Sequence, residues 1–229
     1  MIVECPFLSK FPHLKHAFFE AKSDILDLGK DQAMEAMAGN PLPLVTLKQV
    51  HGNKVIHVTE PLNEQIEGDG LVTRVKGIAI GILSADCGPI LFYDPIAGVI
   101  GACHAGWKGA KDGIIQATLK AMEEQGGGRS RIYATLGPTI QQMNYEVGPE
   151  FPNLFHDQYN SYFLPAQKEE HHYFNLPFYI INQLLNEDIM HVHDLEQNTF
   201  TGNFSSRRRL LSQGMDKINF CNLSAIAII

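Results

Sequence analysis

The chain has 229 residues, of which 45% are hydrophobic and 19% are charged, and its formal net charge is −7. This length and composition suit one large globular domain or two small ones, with enough apolar residues for a sizeable core. The negative net charge argues against a general nucleic-acid-binding or anionic-membrane-binding protein, because such proteins need a basic surface.

The cysteines and the first residues predict a cytoplasmic protein. Cys5, Cys87, Cys103 and Cys221 form no Cys-x-x-Cys pair and are too few for a disulfide framework, so we expect reduced thiols. Residues 1–20 lack a basic segment followed by a long apolar core, and they therefore do not match a signal peptide. No apolar run approaches the length of a membrane span, so we predict no membrane partner.

The first half of the chain alternates short apolar runs with polar breaks. The patterns predict a strand at residues 15–19, a helix at 30–38, strands at 44–50 and 54–59, and residues 67–73 leading into a further strand. The two middle strands flank His51-Gly52-Asn53, and Gly-Asn between β-rich runs is typical of a hairpin turn. We therefore predict a β-hairpin with His51 at its tip.

The second half contains the longest apolar runs. They predict strands at residues 78–83, 89–93 and 99–103, a helix at 109–125, a strand at 131–136, helices at 149–155 and 176–186, and strands within 187–195, at 204–208 and at 218–229. Residues 156–175 show no clear period and are predicted to form a surface excursion. Since the chain has no repeat, low-complexity stretch or linker, we predict one α/β domain over residues 1–229 with strands of mixed direction.

Two residues with reactive side chains, Cys87 and His104, lie at the ends of these central runs. Cys87 precedes Gly88 and Pro89, which indicates a turn, and small residues around His104 leave space beside its imidazole. Each also has an ordinary interpretation, because most free cysteines are small buried hydrophobes and many histidines are hydrogen-bonded core residues. His51 taken alone is typical of a solvated turn.

Together, His51, Cys87 and His104 offer one thiolate and two imidazoles at strand ends, a set that suits zinc or copper with one coordination position open. Structural zinc sites usually have close ligand pairs, whereas these residues are far apart in sequence, which favours an open catalytic site. Such a metal lowers the pKa of bound water or polarises a substrate atom. The competing hypothesis is a metal-free nucleophile–base pair of Cys87 and His104, and the spacing does not separate the two.

Several polar residues near these runs are candidates for supporting roles. Asp69 and Asp86 suit orientation of a histidine or proton transfer, although either also fits an Asx turn. Lys108 lies in a glycine-flanked loop before a helix, where an ammonium and backbone N–H groups favour an anion. Ser205 with the basic run at residues 207–209 is a second candidate anion site, although such a triplet is more often a solvated face.

Six motifs follow one another along the chain: QVHG at 49–52, EGDGLVT at 67–73, ADCGPILFYD at 85–94, HAGWKG at 104–109, GP…YEVG at 137–148 and FSSRR at 204–208. With these motifs the chain resembles the laccase-domain family. Its bacterial members were first described as multicopper polyphenol oxidases and are now regarded as purine nucleoside phosphorylases with adenosine deaminase activity. Each motif alone is weak, but QVHG, ADC and HAGW together are highly specific.

The resemblance implies a fold similar to the catalytic domain of a deamidating bacterial toxin, with mixed β-sheets packed with helices in layers. It implies phosphorolysis of adenosine, inosine and 5′-methylthioadenosine, and deamination of adenosine, so the expected partners are a nucleoside and phosphate, not nucleic acid. The implied metal is zinc, with copper as the alternative, held by His51, Cys87 and His104. We predict catalytic roles for Cys87, His104, Asp69 and Asp86, and substrate binding by Gln49, Lys108, Ser205 and Arg207.

The sequence departs from the family pattern in places. Lys108 stands where arginine is usual, which keeps the charge but loses the bidentate fork. Residues 16–22 occupy the region in which relatives carry a loop with an arginine; here that loop is shortened and the arginine is absent, with Lys22 as the candidate replacement. Asn198-Thr199 replaces the usual Cys-Thr.

Three other functions stay open at this point. A copper polyphenol oxidase needs several His-x-His pairs for a trinuclear cluster, and only His191-x-His193 has that form, so we disfavour it. Some relatives are described as editing factors for a peptidoglycan precursor, which would suit a Cys–His hydrolase. A non-catalytic binding protein is the fourth hypothesis. We predict that His171-His172 and His191-x-His193 are solvated.

Overall fold

Two β-sheets packed face to face form the centre of the protein. The computed structural model describes residues 2–20, 29–215 and 221–229. Lys22, which belongs to the region at residues 16–22 where relatives carry a longer loop, therefore lies outside the described residues. Among the described residues we find no helix with the length and apolar character that a membrane span needs.

The strands in the described residues are numbered in chain order: β1 Ile2–Val3, β2 Leu14–Phe19, β3 Leu44–Val45, β4 Val55–His57, β5 Gly70–Thr73, β6 Ala79–Ser84, β7 Gly88–Asp94, β8 Val99–Ala105, β9 Tyr133–Leu136, β10 Glu146–Val147, β11 Phe163–Pro165, β12 His172–Phe174, β13 His191–Asp194 and β14 Asn222–Ile228. The α-helices are α1 Pro6–Ser9, α2 Lys30–Ala38, α3 Trp107–Lys111, α4 Ile114–Glu124, α5 Tyr159–Tyr162, α6 Leu176–Asn186 and α7 Arg207–Ser212. Short 3-10 helices occupy Arg129–Arg131, Gln142–Asn144 and Phe151–Gln158.

The strands form two large sheets and one small one. The five-stranded sheet has the order β1-β2-β14-β6-β3, the six-stranded sheet has the order β13-β9-β7-β8-β5-β4, and the small sheet is β10-β12-β11. Most neighbours are antiparallel, but β3 with β6, β4 with β5 and β13 with β9 are parallel. Both large sheets are therefore mixed, as the sequence predicts.

The alternation of side chains along the buried strands produces the layers. On β7, Leu91 and Tyr93 pack between the two large sheets, whereas Ile90 and Phe92 pack on the opposite face. That opposite face is covered by α4 and α6, and the outer face of the five-stranded sheet is covered by Met34 of α2. The order is helix, sheet, sheet, helices, because each sheet must bury both of its apolar faces. The predicted layered α/β fold is confirmed.

The predicted hairpin around His51 is wrong. The strands on either side of this residue, β3 and β4, belong to different sheets, and each pairs in parallel with a strand from elsewhere in the chain. The segment between them crosses from one sheet to the other. Local turn signals do not reveal this path, because the contacts that fix it come from residues distant in sequence.

Three further predictions need correction. The helix predicted at residues 109–125 is two helices, α3 and α4, separated at Gly113, whose φ of +93° a side chain would oppose. The strand predicted at 204–208 is absent: residues 204–206 form an irregular segment and α7 begins at Arg207, because Ser206 caps the helix by accepting a hydrogen bond from the N–H of Arg209. The predicted surface excursion at 156–175 contains β11 and β12, and its Phe174 is fully buried.

Candidate metal centre

The structure brings His51, Cys87 and His104 together. Their potential ligand atoms all lie within 4.8 Å of one another, and the two imidazole rings meet edge to face with centroids 4.8 Å apart. Cys87 lies in the turn between β6 and β7, His104 lies near the end of β8, and His51 lies in the crossing between the sheets. Three segments that are distant in sequence therefore converge at one end of the central strands.

A glycine allows this close approach. A Cβ atom added to Gly106 would lie 2.9 Å from the sulfur of Cys87 and 3.3 Å from the ring of His51. No side chain fits there without displacing a member of the cluster. The glycine of the HAGWKG motif is thus required by packing against the ligand cluster itself.

A fully buried carboxylate, Asp69, holds both histidines in place. It accepts hydrogen bonds from the backbone N–H groups of Val50, His51 and Gly52 at 2.8–3.1 Å, which fixes the crossing segment. It also accepts a hydrogen bond from Nδ1 of His104 at 2.9 Å, which leaves Nε2 of that ring available as a ligand. The histidine-orienting role predicted for Asp69 matches this geometry.

The charges of the cluster favour a thiolate. Burial alone would raise the pKa of Cys87, but the imidazoles of His104 and His51 outweigh it and lower the pKa to about 6. Burial opposes protonation of His104, yet the Cys87 sulfur and the Asp69 carboxylate raise its pKa. A soft thiolate with two imidazoles is a donor set that fits zinc or copper, and the histidine–carboxylate contact is typical of metal sites.

Two clefts meet at the cluster. The first, of about 540 Å³, is lined by Gln49 and Ser84 among others, and the second, of about 590 Å³, has Trp107 and Tyr145 in its wall. Both clefts share four lining residues, which are His51, Ala85, Cys87 and Arg207. The cluster therefore faces enough enclosed space for a small organic substrate and a second reactant.

Comparison with known proteins decides the family. The family model described as multi-copper polyphenol oxidoreductase laccase matches residues 28–216 of this chain. The chain belongs to this family. A Rickettsia conorii protein named purine nucleoside phosphorylase is 32% identical over 171 residues, which is 72% of this chain and 70% of that protein.

Two further proteins are similar to this chain, one in sequence and one in fold. A protein named adenosine deaminase, from an unknown prokaryotic organism, is 40% identical over 121 residues, 49% of this chain and 46% of that protein. The solved structure of the Bacillus licheniformis hypothetical protein YfiH matches with a TM-score of 0.82 at 20% identity, and the match covers 96% of this chain and 94% of that chain. This last similarity shows that the two chains share the layered fold.

The predicted substrate-binding residues of this family member have different surroundings. Gln49 lines the first cleft, but its side-chain amide is bound to both the N–H and the carbonyl of Leu83. Arg207 is exposed and lines both clefts. The backbone N–H of Ser205 donates a hydrogen bond to the side-chain oxygen of Asn222. Exposed Lys108, like Ser205, is not among the residues that line the clefts, and its substrate role stays a prediction.

The basic run at residues 207–209 is not a uniform solvated face. Arg209 turns inward and donates to four carbonyl groups of the preceding loop, those of Thr199, Phe200, Gly202 and Phe204. Arg208 lies over the ring of Tyr145, with its guanidinium carbon 5.4 Å from the ring centre, and lines the second cleft. Only part of the triplet is therefore directed to the clefts.

The side chain of Asp86, next to Cys87, is hydrogen-bonded to two distant segments of the chain and not to a histidine. Its carboxylate accepts hydrogen bonds from the hydroxyl of Thr199 at 2.6 Å and from the backbone N–H of Arg208 at 2.7 Å. Its own backbone has a φ of +89° and its carbonyl accepts the N–H of Ile140 at 3.0 Å. Asp86 thus joins the ligand turn to two walls of the second cleft.

No pattern in the sequence indicated the aromatic wall of the second cleft, which contains Trp107 and Tyr145. Trp107 and Tyr145 lie inside the HAGWKG and YEVG motifs, but nothing in the local pattern shows that they face the cluster. The paired histidines are all half-buried, so their predicted solvation is wrong: His171, His172, His191 and His193. His191, for example, stacks on Tyr133 with ring centroids 4.4 Å apart.

Proposed function

We propose that the protein is a metal-dependent purine nucleoside phosphorylase acting on adenosine, inosine and 5′-methylthioadenosine, with adenosine deaminase activity. The observation that carries the proposal is the convergence of His51, Cys87 and His104 at the junction of two clefts, with Arg207 lining both. The names of the Rickettsia phosphorylase and of the adenosine deaminase relative supply the substrate class. We place the protein in the cytoplasm, since all four of its cysteines are free thiols.

The metal in this proposal is zinc, with copper as the alternative, and its ligands are His51, Cys87 and His104. When bound, such an ion supplies Lewis-acid chemistry to the reacting groups. Asp69 keeps His104 in the orientation that ligation needs, through the hydrogen bond to Nδ1. The same carboxylate fixes the backbone of His51, so both imidazoles depend on one anchor.

Different residues of the clefts are suited to the purine and to the phosphate. The walls formed by Trp107 and Tyr145 offer flat apolar surface to a purine, and Trp107 is itself held by an edge-to-face contact with Phe151. Arg207 and Arg208 supply positive charge for phosphate. In phosphorolysis a phosphate oxygen bonds to C1′ of the ribose while the bond from C1′ to the purine nitrogen breaks. In deamination water adds at C6 and ammonia leaves.

The deciding experiment is incubation of zinc-loaded protein with adenosine, with and without inorganic phosphate. We expect phosphate-dependent release of adenine and ribose 1-phosphate, and phosphate-independent formation of inosine. The Cys87→Ala variant, which removes the thiolate ligand, is expected to lose both activities. A wild-type protein with metal bound that converts none of adenosine, inosine and 5′-methylthioadenosine contradicts the proposal.

A second candidate function is a metal-free cysteine hydrolase. The specific observation in its favour is the series Cys87, His104 and Asp69, which has the order of nucleophile, base and orienting acid. Hydrolysis of amide substrates by chelator-treated protein supports this candidate, whereas activity that returns only with added zinc supports the phosphorylase. A copper oxidase is less favoured, because the described residues hold one cluster of three ligands.

A further inference from the structure

Asp86 connects the ligand cluster to the arginines of the second cleft. It directly precedes Cys87, and its carboxylate is shared between the hydroxyl of Thr199 and the backbone N–H of Arg208. The second of these bonds lies in the first turn of α7, at the residue that follows Arg207. The residue beside the thiolate ligand is therefore bonded to the backbone of Arg208, and Arg207 is the covalent neighbour of Arg208.

The backbone of Asp86 binds the opposite wall of the same cleft. Its carbonyl accepts the N–H of Ile140 at 3.0 Å and the hydroxyl of Thr139 at 2.8 Å. These contacts and its φ of +89° set the direction in which the carboxylate points. Hydrogen bonds to an ionised carboxylate are stronger than neutral ones, so the Arg208 end of the link is firmly held.

A proton-transfer role fits these contacts poorly. Asp86 lines the second cleft, but each of its carboxylate oxygens already accepts a hydrogen bond, from Thr199 or from Arg208, and a general acid or base needs an oxygen directed to the substrate. The residue that follows in α7, Arg209, fixes the loop from Thr199 to Phe204 through its carbonyl groups. Asp86 and Arg209 together define where the start of α7 lies.

We propose that Asp86 is a positioning residue, which holds Arg207 and Arg208 beside the cluster so that they bind the phosphate substrate. The assignment rests on the proposed phosphorylase function. This role predicts different effects on the two reactions, because phosphorolysis needs bound phosphate and deamination of adenosine does not. Loss of the link should therefore weaken phosphate binding and spare deamination.

The test uses the zinc-loaded protein with Asp86→Gly and Asp86→Asn. Glycine accepts a φ of +89° without strain, so Asp86→Gly removes the carboxylate with little disturbance of the Cys87 backbone. Asparagine also tolerates this region, and its amide can accept from Arg208 while donating to Thr199. We expect Asp86→Gly to raise the KM for phosphate about tenfold, with the zinc content and the kcat of deamination within about twofold of wild type, and Asp86→Asn to restore most of the phosphate affinity.

A third variant, Thr199→Val, keeps the carboxylate and removes one of its two partners. We expect it to raise the KM for phosphate by about two- to threefold, less than Asp86→Gly. The KM for adenosine in phosphorolysis should stay near the wild-type value in all three variants. Unfolding temperatures measured in parallel identify any variant that fails to fold, and the other variants then decide.

Three results would overturn the assignment. The first is an Asp86→Asn protein whose kcat falls in both reactions, which is the behaviour of a proton-transfer group. The second is an Asp86→Gly protein with an unchanged KM for phosphate, and the third is one that loses zinc. A wild-type protein that forms no ribose 1-phosphate overturns the phosphorylase function itself, and the positioning role with it.

Discussion

Two buried aspartates stand at opposite ends of the central strands. Asp69 lies beside the His104 end of β8, and Asp94 lies beside the other end, about 20 Å away along this seven-residue strand. Each has a fully buried carboxylate that accepts three backbone N–H groups. The partners of Asp94 are Ile96, Ala97 and Gly128. At each end, one side chain thus ties a loop to the end of a sheet.

The difference lies in the fourth partner of each carboxylate. Asp94 binds the guanidinium of Arg131 at 2.9 Å, and this cation has no further role near the clefts. Asp69 binds His104, whose second nitrogen remains available to the ligand cluster. Burial would raise the pKa of both carboxyls, but their donors outweigh it and lower both values. The same device secures a turn at one end and orients a ligand at the other.

The sharpest test of this difference is the pair Asp69→Asn and Asp94→Asn. In Asp69→Asn, an NH₂ group replaces one carboxylate oxygen. This group is a hydrogen-bond donor, and it faces backbone N–H groups and the His104 ring, which are donors too, so His104 loses its fixed orientation. We expect zinc affinity, measured by competition with a chelator, to fall about ten- to a hundredfold. Turnover of adenosine at limiting zinc should fall with it.

Asp94→Asn is the matched control, since it makes the same chemical change at the same depth of burial. Its zinc affinity and its kcat for adenosine should stay within about twofold of wild type. Equal loss of zinc from both variants would show that the two ends of β8 are not independent, and that Asp69 has no special role in ligation.

Asp94→Asn should act on stability instead. The substitution leaves the Gly128 or Ile96 N–H facing a donor and weakens the ion pair with Arg131. We expect a loss of about 2 kcal/mol in the free energy of unfolding, measured in urea, because a buried carboxylate with several donors is replaced. A variant within about 0.5 kcal/mol of wild type would mean that the turn holds without its charge.

The sequence predicted the cluster and a candidate anchor in Asp69, but not the path of the chain that the anchor fixes. His51, Cys87 and His104 were recognisable because one thiolate and two imidazoles together suit a soft metal ion, although each residue alone also had an ordinary interpretation. The path of the chain through His51 was not, since it depends on a carboxylate 18 residues away that binds three successive N–H groups. Local Gly-Asn chemistry favoured a hairpin, and the tertiary contact overrode it.

The roles of Asp69 and Asp86 also depend on tertiary contacts that the local sequence does not show. Both were candidates for orienting a histidine, and either also fitted an Asx turn. The fold brings Asp69 against His104 and Asp86 against Thr199, 113 residues away. Pairings over such distances decide a role that residue type alone leaves open, whereas buried periodic runs such as β7 and α6 are visible directly in the pattern.

A third experiment follows the thiolate in chelator-treated protein. Because the pKa of Cys87 is about 6, its alkylation by iodoacetamide should increase with pH around a midpoint near 6. In Asp69→Asn the midpoint should rise, since the carboxylate no longer helps to keep His104 protonated. The rate at pH 6 should then fall several-fold, and Asp94→Asn should match wild type.

Cys103 provides an internal control for this measurement. It neighbours His104 in sequence but points into the apolar core, where burial raises the pKa of its thiol. It should stay unmodified throughout the native range. Equal labelling of Cys103 and Cys87 would indicate opening of the fold, and an unchanged midpoint in Asp69→Asn would show that the carboxylate does not control the charge of the pair.

The smallest expected effect concerns the acid stability to which Asp94 contributes. A carboxyl with a lowered pKa in the folded state stabilises the protein above its unfolded pKa, about 3.9 for aspartate, and this contribution is lost as the pH falls through the folded value. The difference in unfolding free energy between wild type and Asp94→Asn should therefore be constant from pH 7 to 5 and shrink below about pH 4. Urea titrations at these pH values measure it. The same titrations of Asp69→Asn should show an additional change near pH 6, because that substitution also shifts the pKa of the Cys87–His104 pair. For Asp94→Asn, a difference that grows toward pH 3 would contradict the lowered pKa of this carboxyl.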